Sequence, residues 1–136
     1  MMKLTNNFYL HEFACKDGSQ TPLNVYYNLQ KLAIQLQVLR NYLEAPISIN
    51  SGYRSEYYND VVLPSKGYNT SKNSQHKLGN AADIVVKGFK PSIVAYHIEK
   101  LIDKGEMLQG GIGIYNGFVH YDIGYNGKRR RWDKRN

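Results

Sequence analysis

The order of elements in this 136-residue chain predicts an α+β fold, a small and mainly antiparallel sheet with flanking helices. Three observations carry that reading. An apolar repeat of three and four residues runs early in the chain, a second follows a strand-like run in the middle, and an Asn-Gly pair divides two alternating stretches near the end.

From Pro22 to Leu43 the residues Leu23, Tyr26, Leu29, Leu32, Ala33, Leu36, Leu39 and Leu43 recur at helical spacing, with Thr21 as N-cap and Pro22 as first helical residue. "PISINSGYRS" then gives a short alternating strand through Ile47 and Ile49, running into a Ser-Gly turn. Between Ser55 and Ser74 the chain is polar and aperiodic, with Pro64 and Gly67, and reads as a long loop with one helical turn at most. Loops of that length in compact domains are often functional. "AADIVVKG" is a strand. "KPSIVAYHIEKLIDKG" is a helix with Pro91 near its start, Val94, Ile98, Leu101 and Ile102 on one face and Gly105 beyond its end. "GGIGIYNGFVHYDIG" is a hairpin turning at Asn116-Gly117.

The length fits one domain over residues 1–136, with one core and no need of disulfide staples. Lys and Arg number 18 against 11 Asp and Glu, a net charge of +7, which favours a polyanionic partner such as nucleic acid, anionic lipid or cell-wall polymer. Much of the excess sits in "GKRRRWDKRN", so a solvated basic tail over about residues 127–136 is the alternative source of that charge. Cys15 stands alone and reads as a half-buried apolar thiol. "MMKLTNNFYLHEFAC" has no uninterrupted apolar run of the signal-peptide kind, and no stretch is long enough for a membrane span. The expectation is a soluble chain made in the cytoplasm, without membrane insertion.

Strand alternation singles out two sets of residues. In the last strand Phe118, His120 and Asp122 share one face, while Val119, Tyr121 and Ile123 share the other, so one face is core and the other a site or solvent. In the earlier strand Asp83 stands between Ala82 and Ile84 at the start of an apolar run, where an unpaired carboxylate is costly to bury. His76 precedes it by seven residues through "KLGNAA", whose small residues let the backbone pass close to the sheet and leave space above it. Histidine nitrogen and carboxylate oxygen are ordinary zinc ligands, and His120 is the natural third. On the residues alone, an ordinary polar His and Asp is the alternative. His97, mid-helix beside Tyr96, reads as a satisfied packing residue, and His11 has no partner in view.

"SQHKLGNAADI" fits Ser-x-His-x-x-Gly-x-Ala-x-Asp. With "SGYRS" upstream and "FVHYDIG" downstream it resembles the zinc D-Ala-D-Ala carboxypeptidase and L-Ala-D-Glu peptidase family, in the superfamily that includes vancomycin-resistance dipeptidases, phage endolysins and hedgehog domains. "FYLHEFAC" and "RRRW" are similar to the ends of the short phage and bacterial members, so the resemblance covers about residues 8 to 132. It implies one Zn2+ held by His76, Asp83 and His120, and Arg54 pairing with a substrate carboxylate, a role that suits a planar guanidinium. A structural Arg54 that caps the turn is the alternative. Ser74 and Tyr53 are the further substrate-binding residues expected beside it, and other tyrosines near Arg54 can line a groove. The implied activity is a zinc metallopeptidase, a monomer without nucleic-acid partner, that hydrolyses a peptide bond in peptidoglycan stem peptides or cross-links. Such a chain acts on the cell wall, after phage lysis or as a virion component.

The chain departs from the family in one respect. Dipeptidases of the family carry a Glu three residues before the last histidine ligand and other relatives a His two before it, where this chain has Gly117 and Phe118. Asp122 is therefore the candidate general base, with a role as an acceptor orienting a histidine as its alternative. The missing Glu keeps open a second class, a catalytically inactive zinc-containing cell-wall binding module. A basic nucleic-acid binder is a third, without a recognised fold signature.

Overall fold

The computed structural model describes residues 2–136. Its elements are α1 (Leu10–Phe13), α2 (Leu23–Leu43), β1 (Ile47–Ser51), a π-helical turn (Tyr58–Val62) running into α3 (Leu63–Ser65), a 3₁₀ turn (Gln75–Leu78), β2 (Ala81–Val86), α4 (Pro91–Asp103), β3 (Gly111–Ile114), β4 (Val119–Asp122) and β5 (Arg130–Asp133). The expected α+β architecture is present. One five-stranded sheet runs in the order β1-β2-β4-β3-β5, with every pairing antiparallel except the parallel β3–β5 edge.

Helix α2 buries Leu29, Leu32, Leu36 and Leu39 completely, and α4 adds Val94, Ile98 and Leu101. Against them the sheet presents Ile47, Ala82, Ile84, Val86, Ile112, Val119 and Tyr121. Burying each Leu or Ile is worth about 1.5–3 kcal/mol, so this two-helix face supplies the stability of the domain. Alternation along β2 and β4 then forces Asp83, His120 and Asp122 onto the opposite face of the sheet.

Four expectations are corrected. Helix α2 starts at Leu23 with Pro22 extended as its N-cap, and Leu23 is exposed while Val25 takes the buried place. The segment from Ser55 to Ser74 holds more than one helical turn: Tyr58–Val62 and α3 form a continuous helical stretch, with Pro64 inside it directly after the π-helical turn. The basic end is not a solvated tail, because Arg130–Asp133 forms β5 and pairs along the whole of β3. Two of its cations are committed inward, Arg130 to Asp122 and Arg131 to both carboxylate oxygens of Glu99 at 2.6 and 2.8 Å. Cys15 is fully buried rather than half-buried. His97 packs among Tyr42, Phe89 and Tyr96 as expected, but its Nδ1 finds no hydrogen-bond partner among the described residues. No helix among those residues is long and apolar enough to cross a membrane.

Candidate metal centre

The turn that carries His76 is tied down at both ends. Ser74 Oγ accepts from the His76 backbone N–H at 3.2 Å and so caps the 3₁₀ turn, while the Arg54 backbone N–H donates to the His76 carbonyl at 3.0 Å. The imidazole then points at the sheet, with Nδ1 2.8 Å from the Gly52 carbonyl oxygen. A carbonyl only accepts, so Nδ1 carries the proton and the lone pair lies on Nε2. Gly52 has to be glycine for this approach, because a Cβ there would lie 2.7 Å from the Phe13 backbone. Nε2 stands 3.3 Å from Asp83 Oδ1.

His120 arrives from the other side. It is the direct cross-strand partner of Asp83, and its Nδ1 lies 3.1 Å from the same Oδ1. Its other nitrogen, Nε2, lies 2.7 Å from Asp122 Oδ2. His76, Asp83 and His120 thus bring one donor atom each to within 4.8 Å of one another, and all three residues are buried. Donors around a tetrahedral zinc, each about 2.0–2.2 Å from the ion, stand roughly 3.3–3.6 Å apart. The two separations from Asp83 Oδ1 are close to that range, and in both rings the nitrogen away from the cluster already has an acceptor, the arrangement that orients metal-bound histidines. The residues present fit a single zinc.

Their electrostatics differ. Burial holds His76 below the usual histidine range, against the pull of Asp83. Burial works the same way on His120, yet its bonds to Asp122 and Asp83 outweigh it and raise the imidazole above that range. Asp83 is held below the ordinary carboxylate value: burial pushes it up, and the two histidines more than reverse this. Asp122 is lowered too, with burial overcome by His120, Arg130 and the Gly111 N–H.

These donors form the floor of a cleft of about 700 Å³ that the Ser55–Ser74 segment walls on one side and Tyr115, Phe118 and Trp132 on the other. Arg54 lines it, although each nitrogen of its guanidinium is already engaged: Nε with Ser51 Oγ at 3.1 Å, one terminal nitrogen with Asn59 Oδ1 at 3.2 Å, the other with Asp83 Oδ2 at 3.3 Å. The π-helical turn is what buries Asn59 against it. Ser74 also lines the cleft. Tyr53 does not. Its side chain belongs to the hydrophobic core, and burial pushes its hydroxyl above the ordinary value, so the expected substrate contact is withdrawn.

Asp122 lies at the cleft floor but is fully buried, with Oδ2 on His120 and Oδ1 shared by the Gly111 N–H at 3.1 Å and the Arg130 guanidinium. The geometry is that of a residue orienting His120. A base needs a free oxygen facing the reacting water, and neither is free.

Sequence reasoning missed Arg130 and Trp132. Across the sheet the register sets Asp122, Gly111 and Arg130 in one row and His120, Gly113 and Trp132 in the next. A Cβ at Gly111 would collide with Asp122 and Arg130, and one at Gly113 with the Trp132 indole. The two glycines clear a path by which side chains of β5 cross β3, and the Trp132 ring comes to 4.9 Å from that of His120. The signal in the sequence was "GGIGI", small residues at alternate positions of a strand.

A cleft floored by three converging donors on a mainly antiparallel sheet defines a class, that of a site able to hold one metal ion beside a substrate. The chain belongs to the peptidase M15 family, whose sequence model matches residues 6–122, and is therefore a peptidase. Among solved structures, the crystal structure of Serratia marcescens L-Ala D-Glu endopeptidase ChiX is similar over 60% of this chain and 67% of its own, at 18% identity and a TM-score of 0.40. Among curated proteins none matches.

Proposed function

We propose that this chain is a zinc peptidase that hydrolyses a peptide bond in peptidoglycan stem peptides or cross-links. The observation that carries the reading is the convergence of His76, Asp83 and His120 at the floor of the cleft in a peptidase of the M15 family. His76, Asp83 and His120 would hold the zinc, which would supply Lewis-acid polarisation of a scissile carbonyl and a more acidic attacking water.

The remaining chemistry belongs to the chain's own side chains. Asp122 fixes His120 with Nδ1 turned to the cluster. Arg54, lying against Asp83 at the cleft wall, offers its remaining N–H groups to a substrate carboxylate. Lys16, Lys66 and Arg130 add positive charge to the walls, and the only carboxylates lining the cleft among the described residues are Asp83 and Asp122. Such a surface suits a peptide rich in carboxylates. Arg54→Lys, which keeps the charge and loses the planar fork, is expected to lower kcat/KM on peptides with a free carboxylate and to leave their amidated forms little changed. Equal cleavage of free-acid and amidated peptides by the wild type would give Arg54 another role.

A second reading is favoured by one observation. With both oxygens of Asp122 engaged and Asp83, itself one of the three metal-facing donors, the only other carboxylate lining the cleft among the described residues, the site lacks an evident general base, as expected of a zinc-containing module that binds cell wall without cutting it. Mass spectrometry of muropeptides after digestion separates the two. The peptidase reading predicts new stem-peptide products that vanish with chelator, and intact muropeptides at high enzyme would leave only the binding module.

A further inference from the structure

The family match ends at Asp122, eight residues before β5 begins, yet β5 reaches the floor of the cleft. We propose that β5 is part of the metal centre: Arg130 is a positioning residue that clamps the Asp122 carboxylate, and Asp122 in turn presents His120 Nδ1 to the zinc. This rests on the zinc reading above.

Three observations carry it. Arg130 is the residue in β5 that the register places in the row of Asp122, with only Gly111 between them, and adjacent strands lie about 4.8 Å apart, so a long side chain is needed to span the two intervals. The missing Cβ at Gly111 is what opens that path, since any side chain there would meet the carboxylate and the guanidinium at once. The contact is also well placed. Asp122 is fully buried and its two oxygens are divided, one for His120 and one for Arg130 and the Gly111 N–H, so the Arg130 contact leaves Oδ2 aimed at the imidazole. Without it the carboxylate is free to rotate and to share both oxygens among fewer donors. Trp132, two residues on and over Gly113, closes the same side of His120, with its indole N–H held by the Tyr115 hydroxyl at 3.0 Å.

The neighbouring Arg131 provides a control from the same strand. It points to the opposite face and pairs with Glu99 of α4, away from the cleft. Loss of Arg131 loosens β5, whereas loss of Arg130 removes the clamp.

The test is a zinc competition titration against a chromophoric chelator on the full chain, with thermal unfolding of each variant in parallel. Asp122→Asn is expected to weaken zinc binding by about 10- to 100-fold, as loss of a histidine's partner does. Arg130→Gln, one contact further out, should weaken it by roughly 3- to 10-fold on the same scale. Arg131→Gln should lower the unfolding temperature and bind zinc as the wild type does. The inference is overturned if Arg130→Gln binds zinc as tightly as wild type, or if Arg131→Gln weakens binding as much as Arg130→Gln. Should Arg130→Gln not fold, Arg130→Lys decides in its place. Its ammonium falls short of the guanidinium's reach across Gly111, so weakened binding supports the clamp and unchanged binding overturns it. A wild type that takes up no zinc would remove the metal reading itself, while zinc binding that is indifferent to Arg130 removes this inference alone.

Discussion

His76 and His120 face the same carboxylate from opposite sides, and they are held there in different ways. His76 is held through the main chain: a serine cap, a short turn and the carbonyl of Gly52, 24 residues back, fix its ring, and burial disfavours its protonated form. His120 is held through side chains, by Asp122 two residues on in the same strand and beyond it by Arg130 of β5, and its carboxylate neighbours favour the protonated ring. A neutral carbonyl and a carboxylate both fix a tautomer, but the carboxylate also makes a ligand more basic. The proton therefore competes with a metal more strongly at His120 than at His76.

The largest test of that contrast is the partner of His120. Asp122→Asn should lower zinc affinity by about 10- to 100-fold if Asp122 orients the ring. Were it the base, zinc binding would stay near wild type and peptide cleavage would fall by about 10²- to 10⁴-fold. Measuring both on one preparation assigns the role.

A second test reads the proton. Because His120 is raised above the ordinary value of about 6.5, zinc competes with a proton for it, and affinity should weaken by about tenfold per pH unit once the pH falls below that raised value. His76, lowered by burial, adds no such loss in the neutral range. Calorimetry in buffers of different ionisation heat should therefore show proton release on zinc binding that grows as the pH is lowered toward that raised value. Release of none would erase the difference between the two histidines.

The smallest effect concerns the glycines that admit β5. Gly113→Ala drives a methyl into the Trp132 indole and should cost roughly 1–3 kcal/mol in unfolding free energy, as overpacking does. Gly117→Ala in the hairpin meets nothing within 4 Å and should stay within about 0.5 kcal/mol. Equal stabilities in denaturant titrations would mean that the β5 side chains do not need the space.

What the sequence discloses follows from what fixes each element. Helices α2 and α4, β2 and the β3–β4 hairpin were legible because each is fixed by its own period or turn: Leu29 to Leu39 at helical spacing, and Val119 and Tyr121 alternating with His120 and Asp122. Alternation likewise put His120 and Asp122 on one strand face, whereas the grouping of His76, Asp83 and His120 was legible only through the resemblance of "SQHKLGNAADI" and "FVHYDIG" to the family motifs. β5 was not. Its four residues include two arginines and an aspartate, a composition suited to an edge strand and indistinguishable from a solvated tail until Asp122 and Glu99 are seen opposite. Tyr53 was misread because a tyrosine in a turn beside an arginine has no period to reveal its burial. The helical stretch before the 3₁₀ turn was hidden by Pro64, which normally ends a helix but here lies inside one, directly after a π-helical turn.

Zinc stoichiometry is the most direct test of the account. Elemental analysis of the purified wild type should give about one zinc per chain, and His120→Ala should give a small fraction of that, because a three-ligand site loses its hold when one ligand goes. Full zinc occupancy in His120→Ala, or none in the wild type after incubation with zinc, would contradict the assignment of His76, Asp83 and His120 as the metal centre.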